Sequence, residues 1–116
     1  MEMAEKTENV KNTEAKIREM ADRIAKRFNP EKIILFGSYA RGDAGPDSDA
    51  DFLVVMPVNG SRRNLATDIE REIIGFGVPK DIIVVTPEDL DRDKDAVGTV
   101  IRPAMREGRV LYERHA

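Results

Sequence analysis

The chain has 116 residues, of which 35% are charged and 5% aromatic, and its 19 basic and 22 acidic residues leave a net charge of −3. This length predicts one domain with a single core, and the charge balance excludes a general attraction for nucleic acid, so any phosphate binding must be local. The lack of cysteine excludes disulfides, thiolate metal sites and a cysteine nucleophile, while the lack of a long apolar run or hydrophobic leader predicts a cytoplasmic protein without a membrane span.

The first predicted element is a helix that follows a polar lead. Residues 1–12 show no apolar period, so we expect them to be disordered, with a single domain over residues 13–116. An apolar stripe with helical spacing comes next, and Pro30 ends it because the residue before a proline avoids the helical region. The stripe consists of Ile17, Met20, Ala21, Ile24 and Phe28.

Four short apolar runs predict strands. Their sequences are KIILF, DFLVVM, DIIVV and RVLY. The first three are rich in β-branched residues and apolar on both faces, which is typical of buried strands. Because helical patterns separate these runs, we expect a layered α/β domain whose sheet is largely covered.

The helices between the strands carry start and stop signals. Ser61 can cap a helix with an apolar stripe. This stripe consists of Leu65, Ile69, Ile73 and Phe76. Thr86 can cap the next helix, with Pro87 at the first helical position and Asp89 where a capping box has its acidic residue. In the last helical segment, AVGTVIRPAMREG, we expect Pro103 to kink or split the helix.

The turn after the first strand has residues suited to phosphate binding. Gly37 would let a ligand approach the backbone closely, and Ser38 offers a hydroxyl and an amide at the start of a helical turn. Arg41 could lie on the same side of that turn. On Gly37 and Ser38 alone, an ordinary strand-to-helix turn capped by Ser38 is the better interpretation.

Three aspartates favour a functional site over this simpler interpretation. Asp49 and Asp51 share one face at the start of the second strand, since strand residues alternate between faces. Asp81 opens the third strand in the same way. A solvated acidic strand end remains the alternative. If the second and third strands are neighbours, however, the three carboxylates converge and repel one another unless a cation is present.

The chemistry of these ligands indicates which cation would bind. Carboxylate oxygens without cysteine or histidine favour Mg²⁺ or Mn²⁺ over zinc. Two such ions, about 3.5 to 4 Å apart, can stabilise the attacking and leaving oxygens of an in-line displacement. The one histidine of the sequence, His115, lies next to the end, where we expect solvated surface.

These motifs resemble a known superfamily. The stretch GSYARGDAGPDSDADFLVV is similar to the signature of the DNA polymerase β-type nucleotidyltransferases, and KDIIVV resembles the strand that carries their third carboxylate. The likeness covers about residues 30–86. The ending AMREGRVLYE is similar to the C-terminal pattern of the minimal nucleotidyltransferases, or MNT proteins, which consist of little more than this core.

The resemblance implies a fold and a set of site residues. The fold would be α/β (α+β), with a mixed sheet of about four strands flanked by helices. The metal ligands and catalytic residues would be Asp49, Asp51 and Asp81. Gly37 and Ser38 would contact the β- and γ-phosphates of ATP, and Arg41 would support the phosphates or a partner surface. Asp81 would be the general base for the acceptor hydroxyl.

The resemblance also implies a partner, because MNT proteins are commonly antitoxins of HEPN-domain toxins. The leading hypothesis is a Mg²⁺-dependent enzyme that transfers AMP from ATP to a tyrosine of such a toxin. One alternative is an antitoxin that neutralises its partner by binding alone. Another is a small-molecule nucleotidyltransferase that works as a homodimer, since the chain has no room for a second, acceptor-binding domain.

Overall fold

The computed structural model describes the backbone of residues 2–115 and the side chains of residues 12–115. Its strands are β1 (Lys32–Phe36), β2 (Ala50–Val55), β3 (Lys80–Val85) and β4 (Arg109–Glu113). They form one four-stranded sheet in the order β3-β2-β1-β4. Strand β1 is antiparallel to β2 and β4, whereas β2 and β3 are parallel. The predicted mixed sheet is therefore confirmed.

Five helices are present within residues 2–115. They are α1 (Glu2–Phe28), α2 (Ser38–Arg41), α3 (Arg62–Glu72), α4 (Pro87–Asp93) and α5 (Ile101–Glu107). The predicted caps are present: the Ser61 hydroxyl accepts from the Asn64 amide, and Thr86 and Asp89 form the capping box of α4. No helix in this part of the chain combines the length and the apolar character needed to cross a membrane.

Helix α1 differs from the sequence prediction at its start. It begins at Glu2, so residues 2–12 are helical where we expected a disordered lead. The stretch from 2 to 28 contains neither glycine nor proline and is rich in glutamate, lysine, alanine and arginine. These residues have high helix propensity, which lets the helix continue beyond its apolar stripe.

Helix α5 is shorter than predicted. It begins at Ile101, and residues 97–100 form a turn and a bend instead of an earlier helical turn. Gly98 has a φ of 90°, a left-handed conformation that interrupts a helix. Pro103 therefore lies in the first turn of α5 and does not kink it, since the amide that proline lacks has no partner within a helix at that position.

Helices pack on both faces of the sheet. On one face, α1 and α3 form the larger core with alternate strand residues. This core includes Ile17, Met20, Ile24, Ile33, Leu35, Phe52, Val54, Ile69 and Ile73. On the other face, α5 forms a smaller core with the intervening residues. The smaller core consists of Ile34, Leu53, Val55, Val85, Ile101 and Ala104.

The alternation of strand residues assigns the acidic positions to one face. Asp51 lies two residues before Leu53, and Asp81 lies two residues before Ile83, which packs against the smaller core. Since residues two apart on a strand share a face, both aspartates are on the face of the smaller core. This agrees with the face predicted from the sequence.

Candidate active site

The predicted acidic residues lie at the start of two neighbouring strands. Strands β2 and β3 are parallel, and Asp51 is the register partner of Asp81. Neighbouring strands are about 4.8 Å apart, so these two side chains leave adjacent backbone positions on one face. Asp49 stands just before β2 and is exposed, as is Asp81. The sequence left open whether these strands are neighbours, and the structure shows that they are.

The pKa of the Asp51 carboxyl responds to the charged groups around it. Burial raises the pKa of the Asp51 carboxyl, and the negative charges of Asp81 and Asp49 raise it further. The positive charge of Arg41 acts in the opposite direction. The Asp51 carboxyl therefore interacts with the charges of Asp49, Asp81 and Arg41.

A hard divalent cation fits this set of ligands. The three aspartates offer only carboxylate oxygens, and a cation would offset the repulsion that raises the pKa of Asp51. Within the described side chains, no three acidic groups already stand in an arrangement that would hold a metal ion. Binding would therefore require rotation of Asp49 and Asp81, which their exposure to solvent permits.

Gly37 brings the turn after β1 against the Asp51 carboxylate. Its φ of 77° and ψ of −153° lie in a region that is essentially restricted to glycine. A Cβ atom built on this residue would collide with Oδ2 of Asp51 and lie 3.3 Å from its Cγ. The absence of a side chain thus allows the turn backbone and the carboxylate to be direct neighbours.

The turn continues as the single helical turn α2. The amides of Ala40 and Arg41 donate to the Gly37 carbonyl at 3.1 and 3.0 Å, and the Gly42 amide donates to the Ser38 carbonyl at 3.0 Å. Gly37 occupies the N-cap position, so the interpretation of Ser38 as the cap is wrong. Ser38 is instead the first helical residue, where its backbone N–H is at the positive end of the turn.

Arg41 lies between two further acidic groups. Its Nε donates to Oδ2 of Asp43 at 3.3 Å, and its guanidinium is 3.5 Å from Oε2 of Glu107. Its charge also lowers the pKa of Asp51. The guanidinium is therefore held at the end of α5, close enough to Asp51 for their charges to interact.

Three residues near the site were not predicted from the sequence. Tyr39 is 6% exposed and packs into the larger core, which anchors α2 to the domain. Glu107 contacts Arg41, and Arg109 donates to the Tyr39 carbonyl at 3.4 Å. The motif AMREGRVLYE contained the last two, but their contacts with residues about 70 positions earlier had no local signal. His115 is exposed, as predicted.

The candidate site is on an open surface. Asp49, Asp81 and Arg41 are exposed, and Ser38 is half-buried. A groove of about 530 Å³, lined by charged residues that include Arg23 of α1 and Glu72 of α3, belongs to the opposite face of the sheet. The aspartates do not line this groove, so its size says nothing about their ligand.

Comparison with known proteins identifies relatives over almost the whole chain. Residues 17–111 match the family model described as a nucleotidyltransferase domain. The chain is 36% identical over 104 residues to the putative protein adenylyltransferase MJ0604 of Methanocaldococcus jannaschii, an alignment that covers 87% of this chain and 99% of that protein. A second protein of that name and organism, MJ1305, is 36% identical over 71% of this chain and 58% of its own length.

Two solved structures have a similar fold. A putative nucleotidyltransferase from Sulfolobus solfataricus superposes with a TM-score of 0.61 at 24% identity, over 86% of this chain and 79% of that one. A chain from a toxin–antitoxin structure with AMP-PNP superposes with a TM-score of 0.54 at 21% identity, over 84% and 73% of the two chains. At these identities the likeness concerns the fold.

Proposed function

This chain belongs to the nucleotidyltransferase domain family, and from that premise we propose that it transfers AMP from ATP to a tyrosine hydroxyl of a partner toxin in the cytoplasm. The resemblance to minimal nucleotidyltransferases is confirmed by the same matches. Modification would inactivate the toxin, so the protein would act as an antitoxin. The proposed partner is a HEPN-domain protein, and the proposed cofactor is Mg²⁺, with Mn²⁺ as the alternative.

One observation carries this proposal: the juxtaposition of Gly37, Asp51 and Asp81. The register of β2 and β3 pairs the two aspartates, and the Gly37 conformation brings the turn backbone against one of them. A carboxylate pair beside a glycine turn suits a metal–triphosphate, because the ion neutralises the acids and the turn offers amides to the phosphates. Neither the aspartate pair alone nor the Gly37 turn alone would distinguish a functional site from an ordinary strand end or turn.

The proposed residues divide the reaction between them. Asp49, Asp51 and Asp81 would hold the metal, and Gly37, Ser38 and Arg41 would contact the β- and γ-phosphates. When bound, the metal would lower the pKa of the acceptor hydroxyl and offset negative charge on the phosphates. Asp81 would accept the hydroxyl proton. The hydroxyl oxygen would bond to the α-phosphorus, and the bond to the β-phosphate would break to release diphosphate.

Two observations favour a protein as acceptor. Asp49 and Asp81 are exposed on an open surface, which a side chain of another protein can reach. The relatives with 36% identity are named as putative protein adenylyltransferases, and a structural neighbour belongs to a toxin–antitoxin pair with an ATP analogue. These names concern those proteins, and they support the same type of acceptor here.

The experiment uses the covalent nature of the product. The partner toxin is incubated with this protein, ATP and Mg²⁺, purified away from it, and then assayed for activity and mass. We expect lasting inactivation and the added mass of AMP on a tyrosine. The Asp49→Asn, Asp51→Asn variant should bind the toxin but leave its mass unchanged. Full recovery of activity with unmodified mass would exclude the enzyme reaction and support inhibition by binding alone.

A further inference from the structure

Two residues near the C-terminus, Glu107 and Arg109, contact the turn that we propose to bind phosphate, and Gly108 between them packs against β1 just before that turn. We define this phosphate turn as residues 37–42 and the C-terminal brace as Glu107, Gly108 and Arg109. Glu107 ends α5 and Arg109 begins β4, so the brace is the junction between these elements. Its residues are about 70 positions away from the turn in sequence, and only the fold brings the two segments together.

Arg109 contacts the backbone of the phosphate turn directly. It is the register partner of Leu35 on β1, and its guanidinium donates to the Tyr39 carbonyl at 3.4 Å. The same guanidinium lies 3.7 Å from Oε1 of Glu14 on α1. Arg109 thus connects the central sheet, the first helix and the short helix α2.

Glu107 contacts the functional side chain of the same turn. Its carboxylate is 3.5 Å from the Arg41 guanidinium, which also binds Asp43, the residue that follows the turn. An arginine side chain has several rotatable bonds, and two carboxylates restrict it more than one does. Glu107 therefore restricts the guanidinium to the end of α5, near the turn.

Gly108 sets the distance between the brace and the sheet. A Cβ atom on this residue would collide with the Ala104 carbonyl and lie 3.0 Å from the Leu35 carbonyl. Any larger residue would push the junction away from β1, whose next residues lead into the phosphate turn. The close approach at Gly108 is thus what allows its two neighbours to reach α2.

Helix α2 requires such external contacts because it is only four residues long. A single helical turn is unstable alone, since nucleation restricts several dihedral angles for one hydrogen bond. The carbonyls of its end also need donors, and a cationic group is favourable at a helix C-terminus. The Tyr39 ring anchors α2 from one side, and Arg109 supplies a donor to the Tyr39 carbonyl.

We propose that Glu107 and Arg109 are positioning residues for the nucleotide site. Arg109 holds the backbone of the phosphate turn in the conformation that receives the triphosphate, and Glu107 orients Arg41 toward it. The contacts of Glu107 and Arg109 with the turn are seen in the structure, whereas their effect on ATP binding rests on the proposed function. The two parts are therefore tested separately.

The first test measures the turn without nucleotide. Millisecond hydrogen exchange is followed at the amides of Ala40, Arg41 and Gly42. In Arg109→Met, we expect exchange about 3- to 10-fold faster at these amides, with no change in β2, because one hydrogen bond to the turn is lost. Glu14→Gln is the matched control, since it removes the ion pair of Arg109 but not its bond to Tyr39. Equal exchange in Arg109→Met and the parent would overturn the proposal.

The second test measures use of ATP. Glu107→Gln and Arg109→Met should each raise KM for ATP about 3- to 10-fold and leave kcat within about twofold, which is the pattern of lost ground-state positioning. Glu107→Asp and Arg109→Lys should recover part of the loss, and Arg106→Gln, an exposed neighbour on α5, should resemble the parent. An unchanged KM would overturn the role in ATP positioning. If the parent protein transfers no AMP, the proposed function is refuted. The hydrogen-exchange test would still show whether Arg109 stabilises the phosphate turn.

Discussion

Substitution of Gly37 by alanine tests the contact on which the candidate site depends. The substitution has two separate effects. Alanine at φ 77° and ψ −153° is strained by about 1–3 kcal/mol. Its Cβ would also collide with Oδ2 of Asp51, so that carboxylate must move. We expect the variant to lose about 2–4 kcal/mol of unfolding free energy, the sum of backbone strain and displacement.

Gly42→Ala is the matched control for this substitution. Gly42 also has a positive φ, 86°, but an added Cβ would meet no atom within 4 Å. Alanine in this left-handed conformation costs about 1–2 kcal/mol from strain alone. Urea unfolding in the presence of EDTA should therefore show that Gly37→Ala is the more destabilising of the two by at least about 1 kcal/mol.

A double-mutant cycle isolates the contact with Asp51. Asp51→Ala removes the carboxylate that the new Cβ would meet, so it should recover about 1 kcal/mol more in the Gly37→Ala background than in the parent. Additive effects of the two substitutions, or equal losses for Gly37→Ala and Gly42→Ala, would refute the reasoning. In that case Gly37 would be an ordinary turn glycine.

The remaining predictions concern metal, catalysis and pH. Mg²⁺ or Mn²⁺ should raise the Tm of the parent, more so with ATP, and a similar rise in Asp49→Asn, Asp51→Asn would contradict the metal assignment. Asp81→Asn should abolish AMP transfer, whereas Ser38→Ala should weaken ATP use and retain some turnover; equal partial losses in both would argue against these roles. By NMR, the Asp51 carboxyl should titrate at a higher pH than an ordinary aspartate because of burial and its acidic neighbours, and Asp81→Asn should lower that pKa. The Asp89 carboxyl, whose pKa is lowered to about 2 by the backbone amide of its capping box and then by an arginine, stabilises the fold above about pH 4. That stability should be lost as the pH falls from 4 toward 2, and an Asp89→Asn variant with the same acid unfolding profile as the parent would refute this.

The local elements could be predicted from the sequence because their signals lie within a few residues. The β-branched runs, the caps at Ser61 and Thr86, and the alternation of Asp51 with Leu53 each depend on neighbours in the chain. The two differences in helix length have separate local causes. Helix α1 extends over a polar segment with high helix propensity, and Gly98 interrupts the segment before α5.

The candidate site was predictable only in part. Its motif named Asp49, Asp51 and the turn beside them, since these lie within 15 positions of one another. Their pairing with Asp81 needed the parallel neighbour relation of β2 and β3, which strand patterns alone do not specify. From the sequence we could say only that the three carboxylates converge if the second and third strands are neighbours.

The sequence by itself thus determined the elements, the face of each strand residue and the identity of the motif. Only the tertiary structure decided that Asp51 opposes Asp81, that its carboxylate touches the Gly37 backbone, and that Glu107 and Arg109 contact the same turn. The physical reason is the range of the interactions. Propensity, capping and alternation act over a few residues, whereas sheet register and side-chain contacts across 70 positions depend on how the whole chain packs.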